Sequence, residues 1–294
     1  MENVRPLPAQ GSGLFHGDAM NDLGPLAGFV EAEDPERFAA ALLAKPDKRP
    51  GLMALLALNA EIARVGRQVH EPMIAEIRLA WWREALAGLS QGGTRGHPVL
   101  QALLPLVEHR RITVADLVAL ADARAFDLSD QPMADEDAFA AYADGIAGRL
   151  MRLCLQHLGA TGESGLVAAS ARVHLRVNHL RGLWGNLARG KIFLGLGPIL
   201  SVESGGELLA ARPAGKDALA WFDSQMVRAA EELAQIKAAW RRDLRSTLPV
   251  FAHLRLTRAM LKRVRRAPFA LHRPPTPGER SRAILMAAIT GRPL

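Results

Sequence analysis

A single cysteine, Cys154, among 294 residues leaves no intramolecular disulfide to form and excludes a cysteine-built zinc site. Strand-type runs of β-branched residues are nearly absent, which argues against a sheet. No run of about 18 apolar residues occurs, so no membrane-spanning helix is expected. Residues Met1–Gly28 lack the apolar core of a secretory signal and the Arg-rich, acid-poor character of a transit peptide. With the lone cysteine, this points to a reducing, cytoplasmic setting. The common catalytic signatures are missing too: no His-Glu-x-x-His, no Gly-x-Ser-x-Gly and no phosphate loop. Nine histidines are scattered with no pair at i, i+4, and His174 and His179, five apart, are expected as core or surface residues. No basic patch is interleaved with stacking aromatics, so nucleic acid is not an expected partner.

Ala and Leu dominate a chain that is 49% hydrophobic, and both are strong helix formers. The expected fold class is therefore all-α. Residues 1–30, rich in Gly and Pro, are expected as a flexible leader and 31–294 as one helical domain. Asp34-Pro35 is a start signal, an N-cap followed by a proline at the first helical position. Helices are expected at Asp34–Ala44, Pro50–Val69, Pro72–Ser90, Pro98–Arg110, Thr113–Phe126, Asp135–His157 and from Gly162 to about Gly190. Further helices are expected at Ala214–Leu244, Leu248–Arg266 and Gly278–Gly291, with a surface loop over Gly195–Gly206. The cluster Asp135-Glu136-Asp137 stands where a helix begins, where carboxylates offset the positive end of the helix dipole.

Net charge is +7 and the isoelectric point is near 10.3, a balance that favours acidic partners such as phosphorylated ligands or anionic membranes. The stretch Lys237–Arg266 concentrates it, with ten Lys/Arg against the single acid Asp243. Within Phe251–Arg266, Leu254, Leu261 and Val264 recur at helical spacing while basic residues occupy the other faces. Such a helix either lies on an anionic membrane or packs its apolar face into the core.

Two segments carry more specific information. The first is Ala54-Leu-Leu-Ala-Leu-Asn-Ala-Glu-Ile-Ala-Arg-Val65, followed by Glu76-Ile-Arg-Leu-Ala-Trp-Trp-Arg-Glu-Ala-Leu86. The second is Asn178-His-Leu-Arg-Gly-Leu-Trp-Gly-Asn-Leu-Ala-Arg-Gly-Lys-Ile-Phe-Leu194. Together they resemble the squalene/phytoene synthase family, whose second motif reads roughly Asn-x-Leu-Arg-Asp-x-x-x-Asp-x-x-Arg-Gly-Arg-x-Tyr-Leu. Asn178, Leu180, Arg181, Arg189, Gly190, Lys191, Phe193 and Leu194 follow that pattern without a gap. Arg78-Leu79-x-x-Trp82-Arg83-x-x-Leu86, His97-Pro98-Val99 and the Tyr142…Gly148 stretch fall in the family's order. The resemblance implies an isoprenoid-synthase-like helical domain with a central cavity. It also implies two aspartate-rich motifs that hold Mg²⁺, which neutralises the diphosphate leaving group of an allylic substrate.

The sequence departs from the family at those aspartates. Gly182 and Asn186 stand in the second motif, and Ala63, Arg64 and Arg67 in the first. Glycine supplies no ligand side chain. Two like unit charges 4 Å apart cost about 4 kcal/mol at an effective dielectric of 20, so the arginines repel a metal. The resemblance therefore implies a member without the Mg²⁺-dependent chemistry, a non-catalytic lipid- or isoprenoid-binding or assembly protein without a cofactor. The alternative is a prenyl diphosphate condensing transferase that still uses Mg²⁺. Arg64, Arg67, Asn178, Arg181, Arg189 and Lys191 are the candidate residues for holding a prenyl diphosphate or another anionic lipid. The opposing expectation pairs the arginines with Glu61, Glu71 and Glu76. Trp81, Trp82, Trp184, Trp221 and Trp240 are candidates for a prenyl pocket or for plain core. The branch it most resembles includes a mitochondrial assembly factor of respiratory complex I, which implies a protein partner in respiratory-complex assembly and a peripheral place at the inner membrane face.

Overall fold

The structure is a computed structural model that describes residues 23–68, 71–129, 131–195 and 216–294. Among the described residues there are helices and turns and no strand. The helices are α1 (Ala27–Glu33), α2 (Pro35–Ala41), α3 (Arg49–Gln68), α4 (Pro72–Ala87), α5 (Pro98–Glu108), α6 (Val114–Asp122) and α7 (Glu136–Ala143). They continue with α8 (Arg149–Leu158), α9 (Ser164–Arg181), α10 (Leu183–Leu187), α11 (Lys216–Ala239), α12 (Leu248–Phe251), α13 (Leu254–Arg266) and α14 (Pro277–Thr290).

Local chemistry explains many of the boundaries. Asp34 accepts a hydrogen bond from the Arg37 amide at 3.2 Å and Pro35 opens α2. Thr113 caps α6 and Asp135 caps α7 in the same way. Thr276 and Glu279 form a reciprocal capping box before α14, with Pro277 at its first position. Gly159 and Gly291 take left-handed conformations that end α8 and α14. Between α7 and α8 the backbone makes a π turn over Asp144–Gly148, so the single expected helix runs on with one extra residue in a turn.

Three expectations about the chain path change. The helical domain begins earlier than 31: α1 starts at Ala27, and Leu23, Leu26, Ala27 and Val30 are all buried in the core. The helix expected from Gly162 to about Gly190 is not continuous, because α9 ends at Arg181, Gly182 turns the chain, and only the short α10 follows. Trp240 closes α11, and a 3₁₀ segment, Arg242–Thr247, occupies the expected helical continuation. The loop expected over Gly195–Gly206 lies outside the described residues after Gly195.

The core forms around α3 and α9. Along α3, Leu52, Leu55, Leu58 and Ile62 are each no more than 2% exposed. Full burial of such a side chain contributes about 1.5–3 kcal/mol. Helix α9 packs against α7, the π turn, α11 and α13, so it is covered on most sides. Cys154 lies within this core, and burial pushes its thiol up to about 12.

Candidate functional site

A cavity of about 410 Å³ opens among α2, α3, α9, α10 and the segment leading into α14. On α3 its wall is made by Asn59, Ala60, Ala63, Gly66 and Arg67. These positions recur at three- and four-residue spacing and so share a helix face. On the other wall His174, Asn178, Gly182 and Asn186 follow one another four residues apart. Small residues make the room. A Cβ on Gly66 would come to 3.0 Å from the Cβ of Asp127, so glycine there lets the 3₁₀ segment Ala123–Leu128 close against α3.

Four carboxylates line the cavity, and an arginine holds each one. Asp34 meets Arg37 at 2.8 Å, Glu33 meets Arg67 at 2.9 Å, Asp127 meets Arg124 at 3.0 Å and Glu36 meets Arg181 at 3.2 Å. Asp127 also accepts the Tyr142 hydroxyl at 2.6 Å, and Arg124 donates to Asn59 at 2.8 Å. Burial, then the Asp127 charge, lifts the Tyr142 phenol well above its ordinary range, so it stays a donor. Burial also raises the Glu36 carboxyl, while Arg181 opposes the rise.

Three more cations line the cavity. Arg189 donates to Asn186 Oδ1 at 2.8 Å, Arg280 to the Pro275 carbonyl at 2.7 Å, and Lys191 to the Ser129 carbonyl at 2.7 Å. The wall thus presents seven cationic side chains against four acidic ones. The two histidines add no charge at neutral pH. Burial drives His174 well below the usual range and His179 down to about 4. The Asn178 amide donates to His174 at 3.0 Å, the Asn186 amide to His179 at 3.3 Å, and His179 stacks on Phe193 with centroids 4.3 Å apart.

Most of the expected site residues therefore come together: Ala63, Arg67, Asn178, Arg181, Gly182, Asn186, Arg189 and Lys191 all line one cavity. Arg64 does not. It stays beside Glu61 at 3.7 Å and Glu33 at 4.0 Å, over the Phe29 ring. The expected pairing with Glu61 holds for Arg64. Neither arginine pairs with Glu71 or Glu76, because Glu33 at the end of α1 reaches both. His174 is buried, as expected of a core residue, and His179 is half-buried, and both also line the cavity. The signal for His174 was its place four residues before Asn178. Asn59 and Tyr142 fell within the family-like stretches, whereas Arg124, Asp127 and Arg280 carried no local signal of membership in a site.

None of the five tryptophans lines the cavity. Trp82 packs edge-on against Trp81 and His97. Trp184 donates to the Phe269 carbonyl at 2.6 Å and Trp240 to the Gly291 carbonyl at 3.0 Å. The apolar face of α13 is core as well, with Leu254, Leu261 and Val264 buried, so that helix cannot lay its apolar side into a membrane. Asp135 caps α7 as expected, but Glu136 does more, reaching the buried guanidinium of Arg176.

The Mg²⁺ that the family pattern implies does not fit these residues. Every cavity carboxylate is held by an arginine, and the Asn186 carbonyl oxygen already accepts from Arg189. Among the described residues, no three His, Cys, Asp or Glu side chains converge as metal ligands.

Comparison with known proteins places this geometry in a lineage. In structure the chain is similar to a squalene synthase from Alicyclobacillus acidocaldarius, with a TM-score of 0.67 and 17% identity over 85% of this chain and 98% of that one. It is also similar to a dehydrosqualene synthase in complex with a ligand, with a TM-score of 0.69 and 15% identity over 92% and 96%. At these identities the likeness is one of fold. In sequence it is 24% identical over 135 residues to the NADH dehydrogenase (ubiquinone) complex I assembly factor 6 homolog of Dictyostelium discoideum. It is 26% identical over 130 residues to the Homo sapiens assembly factor 6. Those matches span 38% and 39% of the relatives' own length. The sequence profile for squalene/phytoene synthases matches residues 30–281, most of the chain, and the chain belongs to the squalene/phytoene synthase family.

Proposed function

We propose that this protein is a non-catalytic member of its family. In this reading the cavity holds an anionic prenyl or lipid ligand without metal, and the protein serves in assembly as its complex I assembly factor 6 relatives are named for. The observation that carries the reading is the fate of the cavity's charges. At the positions of the family's metal-binding aspartates stand Ala63, Arg64, Arg67, Gly182 and Asn186, and the carboxylates nearby are consumed by arginines. Ionising an allylic diphosphate requires neutralisation of the leaving group, and among the described residues no cluster of ligands gathers a divalent metal to do it. What the wall offers instead is Arg189 and Arg280, each spending its hydrogen bonds on a neutral oxygen. A phosphate oxygen competes well for such donors, since a hydrogen bond between charged groups contributes about 1.5–3 kcal/mol.

Calorimetric titration with farnesyl diphosphate, run with Mg²⁺ and again with chelator, tests the binding. Equal affinity in both is expected, with a loss of about tenfold, roughly 1.4 kcal/mol, in Arg189→Ala. Incubation with farnesyl or geranylgeranyl diphosphate and Mg²⁺ tests the chemistry. A condensed product would overturn the reading in favour of a prenyl transferase, and binding abolished by chelator would overturn the metal-free site.

A further inference from the structure

A second groove, of about 480 Å³, lies between α13 and α14. Arg255, Lys262 and Arg282 line it together with Leu256, Met260 and Met286. Its acid, Glu279, is already engaged by Arg263, by Arg273 at 2.9 Å and by the Thr276 amide at 2.8 Å. Arg255 donates to the Thr290 hydroxyl at 2.7 Å and to the Arg292 carbonyl at 3.2 Å. Lys262 and Arg282 have no acidic partner among the described residues, and neither do Arg258, Arg265 and Arg266 along the outer side of α13.

Beside these cations lies apolar surface. On α14, Arg282, Leu285, Met286 and Ile289 fall at i, i+3, i+4 and i+7, the spacing of a single helix face. The three apolar members are 59%, 40% and 64% exposed. The other side of α14 is already used, since Ile284 and Ala287 pack with Ala40, Leu248 and Ala252. Helix α14 is thus apolar on two sides, and one of them has no partner among the described residues.

The two halves of the surface together select an occupant. An acidic protein surface would answer the cations and leave three large apolar side chains in water. An apolar protein face would bury them and strand the cations. An anionic phospholipid surface answers both, with headgroup phosphates against Lys262, Arg282 and the α13 arginines and the acyl boundary beneath Leu285, Met286 and Ile289. We propose that the α13–α14 face seats this protein on an anionic membrane. The seat differs from a free amphipathic α13, whose apolar side is core, and it does not depend on the cavity binding a ligand.

Co-sedimentation of the full chain with phosphatidylcholine vesicles, with and without phosphatidylglycerol, tests the proposal. The protein should pellet with the phosphatidylglycerol vesicles alone, and less as salt rises, because screening shortens the reach of exposed charges. Lys262→Ala with Arg282→Ala should lower partitioning about 25-fold, each basic residue contributing about fivefold, roughly 1 kcal/mol. Leu285→Ser with Ile289→Ser should weaken it independently of salt. All four positions are exposed, so circular dichroism should report unchanged folding in both double variants. Equal binding to neutral vesicles, absence of binding, or unchanged partitioning in the charge variant would overturn the proposal. So would a dimer in analytical ultracentrifugation that the apolar variant dissolves while vesicle binding is absent, which would assign the face to a second copy of the chain.

Discussion

Arg176 sits midway along α9 with no exposure to solvent, and its replacement tests how the helices are joined. Its guanidinium meets Glu232 of α11 at 2.7 Å and Gln225 at 2.6 Å, also bonds Glu136 at the start of α7, and lies 4.6 Å over the Phe139 ring. Burial pulls the Arg176 pKa down, but the hydrogen bonds it donates to Glu232 and Glu136 outweigh it, so the group stays charged. Arg176→Ala leaves Glu232, which is 5% exposed in the parent, with only Arg172, 3.8 Å away there, as a cation partner. Leaving one member of a buried pair alone costs about 3–5 kcal/mol. A typical domain holds only about 5–15 kcal/mol in all. The variant should therefore unfold at much lower urea, followed by circular dichroism. Arg176→Met combined with Glu232→Leu should recover part of the loss, because apolar residues of similar volume replace a buried pair at little net cost. Glu136 keeps Arg228 at 3.6 Å in that background, while Gln225 loses its partner, a residual penalty of about 1–3 kcal/mol. A loss below about 1 kcal/mol in the single variant would refute the reasoning, as would a double variant as unstable as the two single effects added together.

Two further outcomes follow from the same structure. His179 is held down to about 4 by burial, so between there and its ordinary value near 6.5 the unfolded chain binds a proton that the folded chain does not. Stability therefore falls as pH drops through that window, by about 2 kcal/mol at pH 5 from this residue, and urea midpoints of His179→Gln should show a shallower pH dependence. Gly51→Ala places a methyl group inside the contact shell of the buried His157 ring, 2.9 Å from its Nδ1, where the ring also holds the Lys48 carbonyl at 2.9 Å. Overpacking of this kind costs about 1–3 kcal/mol, and a thermal midpoint equal to that of the parent would show that the ring moves aside freely.

Much of the helical framework was legible from local patterns. Asp34-Pro35, Thr113, Asp135 and Gly159 act within three or four residues of themselves, so their effect does not depend on distant partners. The family motif of Asn178–Leu194 was equally visible, and so was the loss of its aspartates. The turn at Gly182 was not, because the framework residues on either side continue a helical spacing and only the packed structure stops α9 at Arg181. Nor was the entry of residues 23–30 into the core, since four buried apolar side chains in a Gly/Pro-rich stretch make too short a pattern to stand out.

Charge pairing marks the division most clearly. The family resemblance, read residue by residue, showed the metal-binding carboxylates replaced by Ala63, Arg64 and Arg67 in one segment and by the uncharged Gly182 and Asn186 in the other, which is a statement about chemistry at fixed positions. Which acid would answer which arginine was a tertiary matter. Glu33 lies 34 residues from Arg67, and Glu36 lies 145 from Arg181. Arg176 and Lys262 are both basic residues on helices, yet one is sealed among three helices and the other is exposed. Composition and spacing specified the helices, and the motif resemblance the family and its missing metal ligands, because those depend on a residue and its near neighbours. The pairing of charges, the shape of the cavity and the open face of α14 depend on how distant helices pack, and only the folded chain decides that.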